Sequence, residues 1–337
     1  MSVEVALDGV MSAEELQATA DHLVSLQLDD GMIPWFPGGH CDPWNHVEAA
    51  MALDVAGRHR DAEAAYEWLH GIQRPDGSWH NYYRSDGSVE DSKLDTNVCA
   101  YVATGVWHHW RSTWDRGFVE NMWPTVVGAL EFVLSTRRSD GLALWAVEPD
   151  ERPWDYALLT GTCSIQHALR CGAHLAEALG DPRPDWVLAA EVMVDAIRSR
   201  PGAFEPKERW AMDWYYPVLT GAVRNVEAKE RMVGGWDEFA DEGLGIRCVS
   251  DEPWITASET AECALAYAAM GDTSTATDLL RWTRTHRRPD GAYWTGIVHP
   301  GEILFPFDEH TSYTAAAVVL AVDAITGATP ASRLFTD

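Results

Sequence analysis

Positive charge is scarce in this chain: 25 Lys and Arg stand against 52 Asp and Glu, a formal net charge of -27 over 337 residues. A surface of that sign repels phosphate backbones and anionic lipid, so nucleic acid and membrane surfaces are poor partners, and a small-molecule substrate is expected instead. Long apolar runs are missing too, since no stretch reaches the roughly 18 residues that a membrane span needs. Met1 to Val10 carry no basic segment followed by an apolar one, so no targeting peptide is read there and a soluble cytoplasmic protein is expected. Six cysteines (Cys41, Cys99, Cys163, Cys171, Cys248, Cys263) never fall at Cys-x-x-Cys spacing. A chain this long needs no covalent staples, so free and mostly buried thiols are expected. No linker or shift of composition marks a boundary, which points to a single domain over 1–337.

What is present is apolar and rich in tryptophan: 46% of residues are hydrophobic and 17 are Trp, enough for a large core. Met11 to Gln27 has helical spacing, with Ser12 as cap and Glu14 and Glu15 in the first turn. That helix stops at Asp30-Gly31, and the ending recurs at Asp76-Gly77, Asp140-Gly141 and Asp290-Gly291, each followed by an aromatic: Trp35, Trp79, Trp145 and Trp294. Pro201-Gly202-Ala203-Phe204 and Gly234-Gly235-Trp236 read as two weaker copies.

Between the turns two kinds of helix alternate. Residues 58–73, 118–137, 182–198 and 274–286 are charged on one face only, as surface helices are; 47–56, 98–107, 157–174, 258–270 and 313–325 carry few charges on any face, as buried helices do. A short unit lies between Asp213 and Arg231, with Pro217 as its kink or start. Six outer and six inner helices give an all-α fold, an (α/α)6 toroid of six helical hairpins. The inner helices open with similar stretches: Asp42-Pro43-Trp44, Leu94-Asp95-Thr96, Pro153-Trp154-Asp155, Met212-Asp213-Trp214, Glu252-Pro253-Trp254 and Phe307-Asp308-Glu309-His310.

Those residues resemble the repeat of the terpenoid cyclase and protein prenyltransferase superfamily. Gln73-Arg74-Pro75-Asp76-Gly77-Ser78-Trp79 is similar to the Gln-Trp motif of squalene-hopene cyclases, and His310-Thr311-Ser312-Tyr313 to the segment that supplies the zinc-binding histidine of prenyltransferases. An Asp-x-Asp-Asp run and a complete zinc ligand set are both absent, so the resemblance implies neither the usual protonating motif nor a metal. No cofactor is expected.

The candidate catalytic residues are Asp95, Asp155, Asp213, Glu309 and His310, taken as projecting from equivalent helix mouths into one cavity. Carboxyls crowded by rings lose solvation and keep their protons to higher pH, as a general acid requires, and His310 lies beside Glu309. Trp44, Trp154, Trp214, Trp254 and Tyr313 are the candidate substrate-binding rings. Asp42, followed by Pro43, reads first as an N-cap, and Asp95 equally well as a cap. His46 and Glu48 straddle opposite faces of one helix. Glu259 and Glu262 share a face and form either a carboxylate pair or an ion pair with Arg247. The first functional expectation is cyclase- or prenyltransferase-like general-acid chemistry on an isoprenoid-derived molecule. The alternative is a glycoside hydrolase or sugar epimerase with paired carboxylates, and a third reading is a non-catalytic binding scaffold. Oligomeric state stays open.

Overall fold

The computed structural model describes residues 5–148, 150 and 152–336; the first four residues of the Met1 to Val10 stretch lie outside them. Twelve α-helices run through the described residues. The first six are α1 (Ala13–Leu26), α2 (Pro43–Val55), α3 (His59–Ile72), α4 (Thr96–Thr113), α5 (Arg116–Ser135) and α6 (Leu159–Leu179). There follow α7 (Pro184–Ser199), α8 (Ala211–Leu219), α9 (Asn225–Phe239), α10 (Ala257–Ala269), α11 (Thr273–Trp282) and α12 (Ser312–Thr326). By contacts the chain forms two compact units. A central unit holds Gln27–Ala50 and His59–Pro206; a terminal unit holds the chain up to Leu26, Met51–Arg58 and the chain from Lys207 onward.

In the central unit the apolar α4 and α6 pack on each other and are flanked by α5 and α7. Nearly every residue of α4 from Thr96 to His109 is buried, whereas α3 buries one stripe, Ala62, Ala65, Tyr66, Trp68 and Leu69. The terminal unit repeats the scheme: α10 lies against α8, α11 and α12, and α1 against α12. Small residues make the buried helices of this unit possible. Ala315 to Ala317 and Ala321 in α12, and Ala257, Ala261, Ala264 and Ala266 in α10, are almost wholly enclosed.

The Asp-Gly turns explain how successive hairpins stack. In all four the glycine N–H donates to the carbonyl three residues back, and the aspartate side chain accepts from the N–H two residues ahead, for example Gly77 to Arg74 at 2.9 Å and Ser78 to Asp76 at 3.0 Å. Gly77 has φ +87°, and a Cβ there would lie 2.1 Å from the carbonyl oxygen of Gly128 on α5. Gly291 has φ +89° and would meet the Ala18 oxygen of α1 at 2.4 Å. Glycine is demanded twice over at these positions, by backbone conformation and by the closeness of the neighbouring helix.

The fold is helix-rich rather than purely α, because among the described residues nine strands of two or three residues stand before the buried helices: β1 (Tyr82–Tyr83), β2 (Val89–Asp91), β3 (Leu94–Asp95), β4 (Ala146–Val147), β5 (Ala240–Asp241), β6 (Gly245–Arg247), β7 (Trp254–Thr256), β8 (Gly296–Val298) and β9 (Ile303–Phe305). β5 to β9 form one antiparallel sheet in sequence order. Strands this short carry no readable alternation. Gly234-Gly235-Trp236 is not a turn but lies inside α9, where the ring of Trp214 packs so closely that a Cβ on Gly235 would meet it at 2.5 Å. The fourth buried helix starts at Ala211 and keeps Pro217 inside it. All six cysteines are free and buried. No helix among the described residues is long and apolar enough to cross a membrane.

Candidate active-site carboxylates

In the central unit the chain turns after Pro34 so that the Trp35 N–H meets the His40 carbonyl at 2.8 Å, and the His40 ring packs against Trp35 and Tyr82 at 4.4 and 4.5 Å. Asp42 follows, with Pro43 as first residue of α2. The capping expectation holds for one oxygen, which accepts the Asn45 N–H at 3.0 Å. The other accepts from the Trp35 indole and the Asn45 amide, both at 2.6 Å. Asp42 is 3% exposed, and burial raises its pKa against the pull of those donors. One turn on, Glu48 is buried and accepts from the Trp44 indole at 3.1 Å and the Tyr101 hydroxyl at 3.2 Å. His46, on the opposite face, accepts the Ile33 N–H and donates to the Ala65 carbonyl; burial lowers its pKa to about 4, so it is a neutral core residue.

The second carboxyl of this unit is Asp95. Pairing of β3 with β4 sets Asp95 opposite Ala146 and brings the Trp145 side chain onto its carboxyl. Asp95 also caps α4, accepting from the Asn97 and Val98 N–H groups at 3.0 and 3.3 Å. Burial outweighs these bonds and the nearby Lys93, and its pKa is raised to about 6. Trp145 stacks on Tyr156 at 5.5 Å, and Lys93 sits over the Trp145 ring at 4.4 Å. Tyr82 links the two acids: burial first, then the charges of Asp42 and Asp95, hold its hydroxyl well above the ordinary tyrosine value. Asp155 and Trp154 are placed otherwise than expected. α6 begins only at Leu159, so Asp155 is not in its first turn and stands exposed; Trp154 is 37% exposed and bonded to Glu148.

The terminal unit also holds a buried carboxylate with tyrosine partners. Glu262 on α10 is 9% exposed and accepts from the hydroxyls of Tyr215 at 2.5 Å and Tyr216 at 2.8 Å. Burial, then Glu262 and Glu259, push the Tyr215 hydroxyl far up. Glu259, one turn earlier, accepts from Ser258 at 2.7 Å. The ion pair proposed with Arg247 is not formed, because Arg247 is taken by Asp241 at 2.6 Å. Trp214 is a core ring rather than a cavity wall: it is 6% exposed, stacked on Phe239 at 5.6 Å and bonded to the Arg231 carbonyl. Asp213 is the third residue of α8, and Arg231 donates to its main-chain oxygen at 2.5 Å. Trp254 lies on β7, stacked on Phe305 at 4.3 Å.

Glu309 and His310 precede α12, with Tyr313 in its first turn. Glu309 is half-buried and burial raises its pKa. His310 bonds the Asp308 carbonyl at 3.2 Å and lies edge-on to Trp294. The proposed acids thus occupy different helix positions: a cap for Asp95, a first-turn residue for Asp213, a pre-helical residue for Glu309. Among the described residues no group of three or more His, Cys, Asp or Glu is placed to hold a metal ion. Tyr82, Tyr215 and Tyr216 are not among the residues expected from sequence, and Trp35 enters there only as the aromatic after a turn; the local signal for the two tyrosines of α8 is the density of rings around Asp213.

No family model matches the chain. The MMP endo-(1,4)-3-O-methyl-α-D-mannosidase of Mycolicibacterium hassiacum is 46% identical over 327 residues, covering 97% of this chain and 90% of that protein. Among solved structures a wild-type glycosidase shares the fold with a TM-score of 0.74 at 14% identity, over 94% of this chain and 97% of that one. A D-mannose isomerase follows at 0.68 and 11% identity, over 92% and 96%. The expected kinship with terpenoid cyclases and prenyltransferases, and the isoprenoid chemistry implied by it, are overturned by these similarities. Repeated Asp-Gly turns before buried helices belong to a fold that carries many chemistries, and they do not select among them. The chain belongs to the glycoside hydrolase family of the MMP endo-(1,4)-3-O-methyl-α-D-mannosidase.

Proposed function

We propose that the chain is an endo-acting glycoside hydrolase that cuts (1,4)-linked α-mannoside chains bearing 3-O-methyl groups, on an (α/α)6 scaffold of six helical hairpins. The substrate class rests on the 46% identical endo-mannosidase. The observation that carries the chemistry is the burial of two carboxyls of the central unit, Asp42 and Asp95, each at the start of a buried helix. Asp95, with its pKa raised to about 6, is the general acid: its proton passes to the glycosidic oxygen as the bond to the anomeric carbon breaks. Asp42, oriented by three donors, is assigned as the second carboxyl, which in its ionised form takes a proton from the water that attacks that carbon or attacks it directly. Trp35, Tyr82 and Trp145 supply apolar faces for sugar rings. Within the terminal unit, taken by itself, Trp254 and Tyr313 are assigned as rings for sugar contact, with Glu309 and His310 as polar contacts to sugar hydroxyls.

A specific observation favours a second reading, in which the acid is Glu262 of the terminal unit. It is buried without a capping role, and two tyrosine hydroxyls orient it. Four single variants, Asp42→Asn, Asp95→Asn, Glu262→Gln and Glu309→Gln, separate these readings when reducing-end release from 3-O-methylated (1,4)-α-mannan oligosaccharides is measured beside the melting temperature. Asp42→Asn and Asp95→Asn are expected to lose about a hundredfold or more in kcat with the fold intact. Full activity of Asp95→Asn, with a collapse in Glu262→Gln, moves the acid to Glu262 and ends the first assignment.

A further inference from the structure

The β8–β9 hairpin of the terminal unit carries apolar side chains that packing does not explain. Ile303 is 64% exposed and Phe307 is 88% exposed. Phe307 also has φ +51°, in the left-handed region that a bulky side chain rarely occupies. Its position is held at both sides. The Glu309 N–H returns to the Pro306 carbonyl at 3.2 Å, which closes a four-residue turn with Phe307 as its second residue, and the Glu309 carbonyl accepts the Thr295 N–H at 3.0 Å. A positive φ at that place of a turn calls for Gly, Asn or Asp. Neither backbone preference nor burial accounts for a phenylalanine here, and residues that break a local rule in this way gather at functional sites.

The surroundings contain the rings and the acid assigned above to sugar contact. Trp254, opposite Val298 in the ladder, stacks on Phe305 two residues before Phe307, and the half-buried Glu309 follows two residues after it. Glu302 and Asp308 beside the exposed apolar residues are themselves exposed, and the chain carries a net charge of -27. A second copy or an anionic partner would be repelled, whereas a neutral sugar chain is not. An endo-acting enzyme holds several sugar units at once, and a 3-O-methyl group adds an apolar spot to each unit that bears it.

Resting on the glycoside hydrolase reading above, we infer that Phe307, helped by Ile303, is a subsite that packs against methyl-bearing sugar units and favours 3-O-methylated over unmethylated chains. The experiment compares the full-length parent with Phe307→Gly and Phe307→Ala. Titration calorimetry gives the Kd for 3-O-methylated and for unmethylated (1,4)-α-mannan oligosaccharides, with cleavage, melting temperature and sedimentation measured alongside. Both variants are expected to bind the methylated chain about threefold to tenfold more weakly, as loss of one aromatic contact implies. Binding of the unmethylated chain should be nearly unchanged, and Phe307→Gly should melt no lower than the parent because glycine adopts this φ without strain. Unchanged binding of the methylated chain, or equal weakening for both chains, overturns the inference. So does a lowered melting temperature with unchanged binding, which makes the ring structural, or a change of sedimentation, which makes it a contact between copies. A parent that binds the methylated chain with this selectivity and cleaves neither chain overturns the hydrolase reading alone.

Discussion

Asp95 is asked to do two things that oppose each other. As the cap of α4 it should be ionised, since two backbone N–H groups point at it; as a residue enclosed beside Trp145 it is pushed toward the neutral form, and its pKa of about 6 means that burial wins. The consequence for stability has a definite sign. The folded state holds the proton more tightly than the unfolded chain, whose aspartate titrates at 3.8, so the contribution of Asp95 falls as pH rises from about 4 to about 6 and is flat above. A shift of about two units corresponds to on the order of 3 kcal/mol as an upper bound. Asp95→Asn keeps the cap, because Asn caps about as well, and removes the penalty. At pH 7 this variant is expected to need at least as much urea to unfold as the parent, and the parent's loss of stability between pH 4 and 6 should flatten. A variant distinctly less stable at pH 7 shows that the ionised cap outweighs burial. At this scale the local sequence does not rank the acids: Asp155 stands between Trp154 and Tyr156 yet is exposed, whereas Asp95, with no ring beside it in the chain, is buried. Trp145, whose indole donates to Asp95 and so opposes the effect of burial, is brought there by the pairing of β3 with β4.

At the scale of elements the Asp-Gly turn is the repeated part. At Gly31, Gly77 and Gly291 the glycine lies against the backbone of a neighbouring helix, so substitution there should cost far more than at a glycine that only needs its backbone angle. Gly77→Ala meets both demands and is expected to destabilise by about 3 kcal/mol or more. Gly57→Ala is the control: φ is +76°, nothing lies within 4 Å of its Cβ, and about 1 kcal/mol is expected. Equal losses in denaturant melts would show that close approach contributes nothing. The turns, and helix starts near Pro43 and Thr96, are legible because caps, Pro and Asp-Gly act over a few residues, whereas the start at Ala211 carries no such signal. The start of α6 was not, since Pro153-Trp154-Asp155 looks like the other openings but is drawn into the loop bonded back to β4. Gly234-Gly235 was misread because its reason is the Trp214 ring, twenty residues away.

For the whole molecule the net charge of -27 is the dominant global property. Self-repulsion weakens the compact state and is screened within about 10 Å at 0.1 M salt, so the melting temperature should rise between low salt and 0.2 M sodium chloride. A fall over that range would place the larger share of stability in ion pairs such as Arg284 with Glu15 and Arg247 with Asp241. The expectation of one domain over 1–337 is a matter for calorimetry, where it requires a single cooperative transition.

The sequence by itself determined the alternation of surface and buried helices, the glycine turns, the free cysteines and the acidic surface, because each follows from local periodicity, from turn chemistry or from a sum over the chain. Enzyme class was beyond it, since the repeat marks a scaffold and the chemistry lies in side chains that the scaffold leaves free to vary. Only the tertiary structure decided which carboxylates are desolvated. Trp145 reaches Asp95 through strand pairing, and the hydroxyls of Tyr215 and Tyr216 reach Glu262 from 47 and 46 residues away. Burial is set by neighbours in space, and it is burial that turns an ordinary acid into one able to hold a proton near neutral pH.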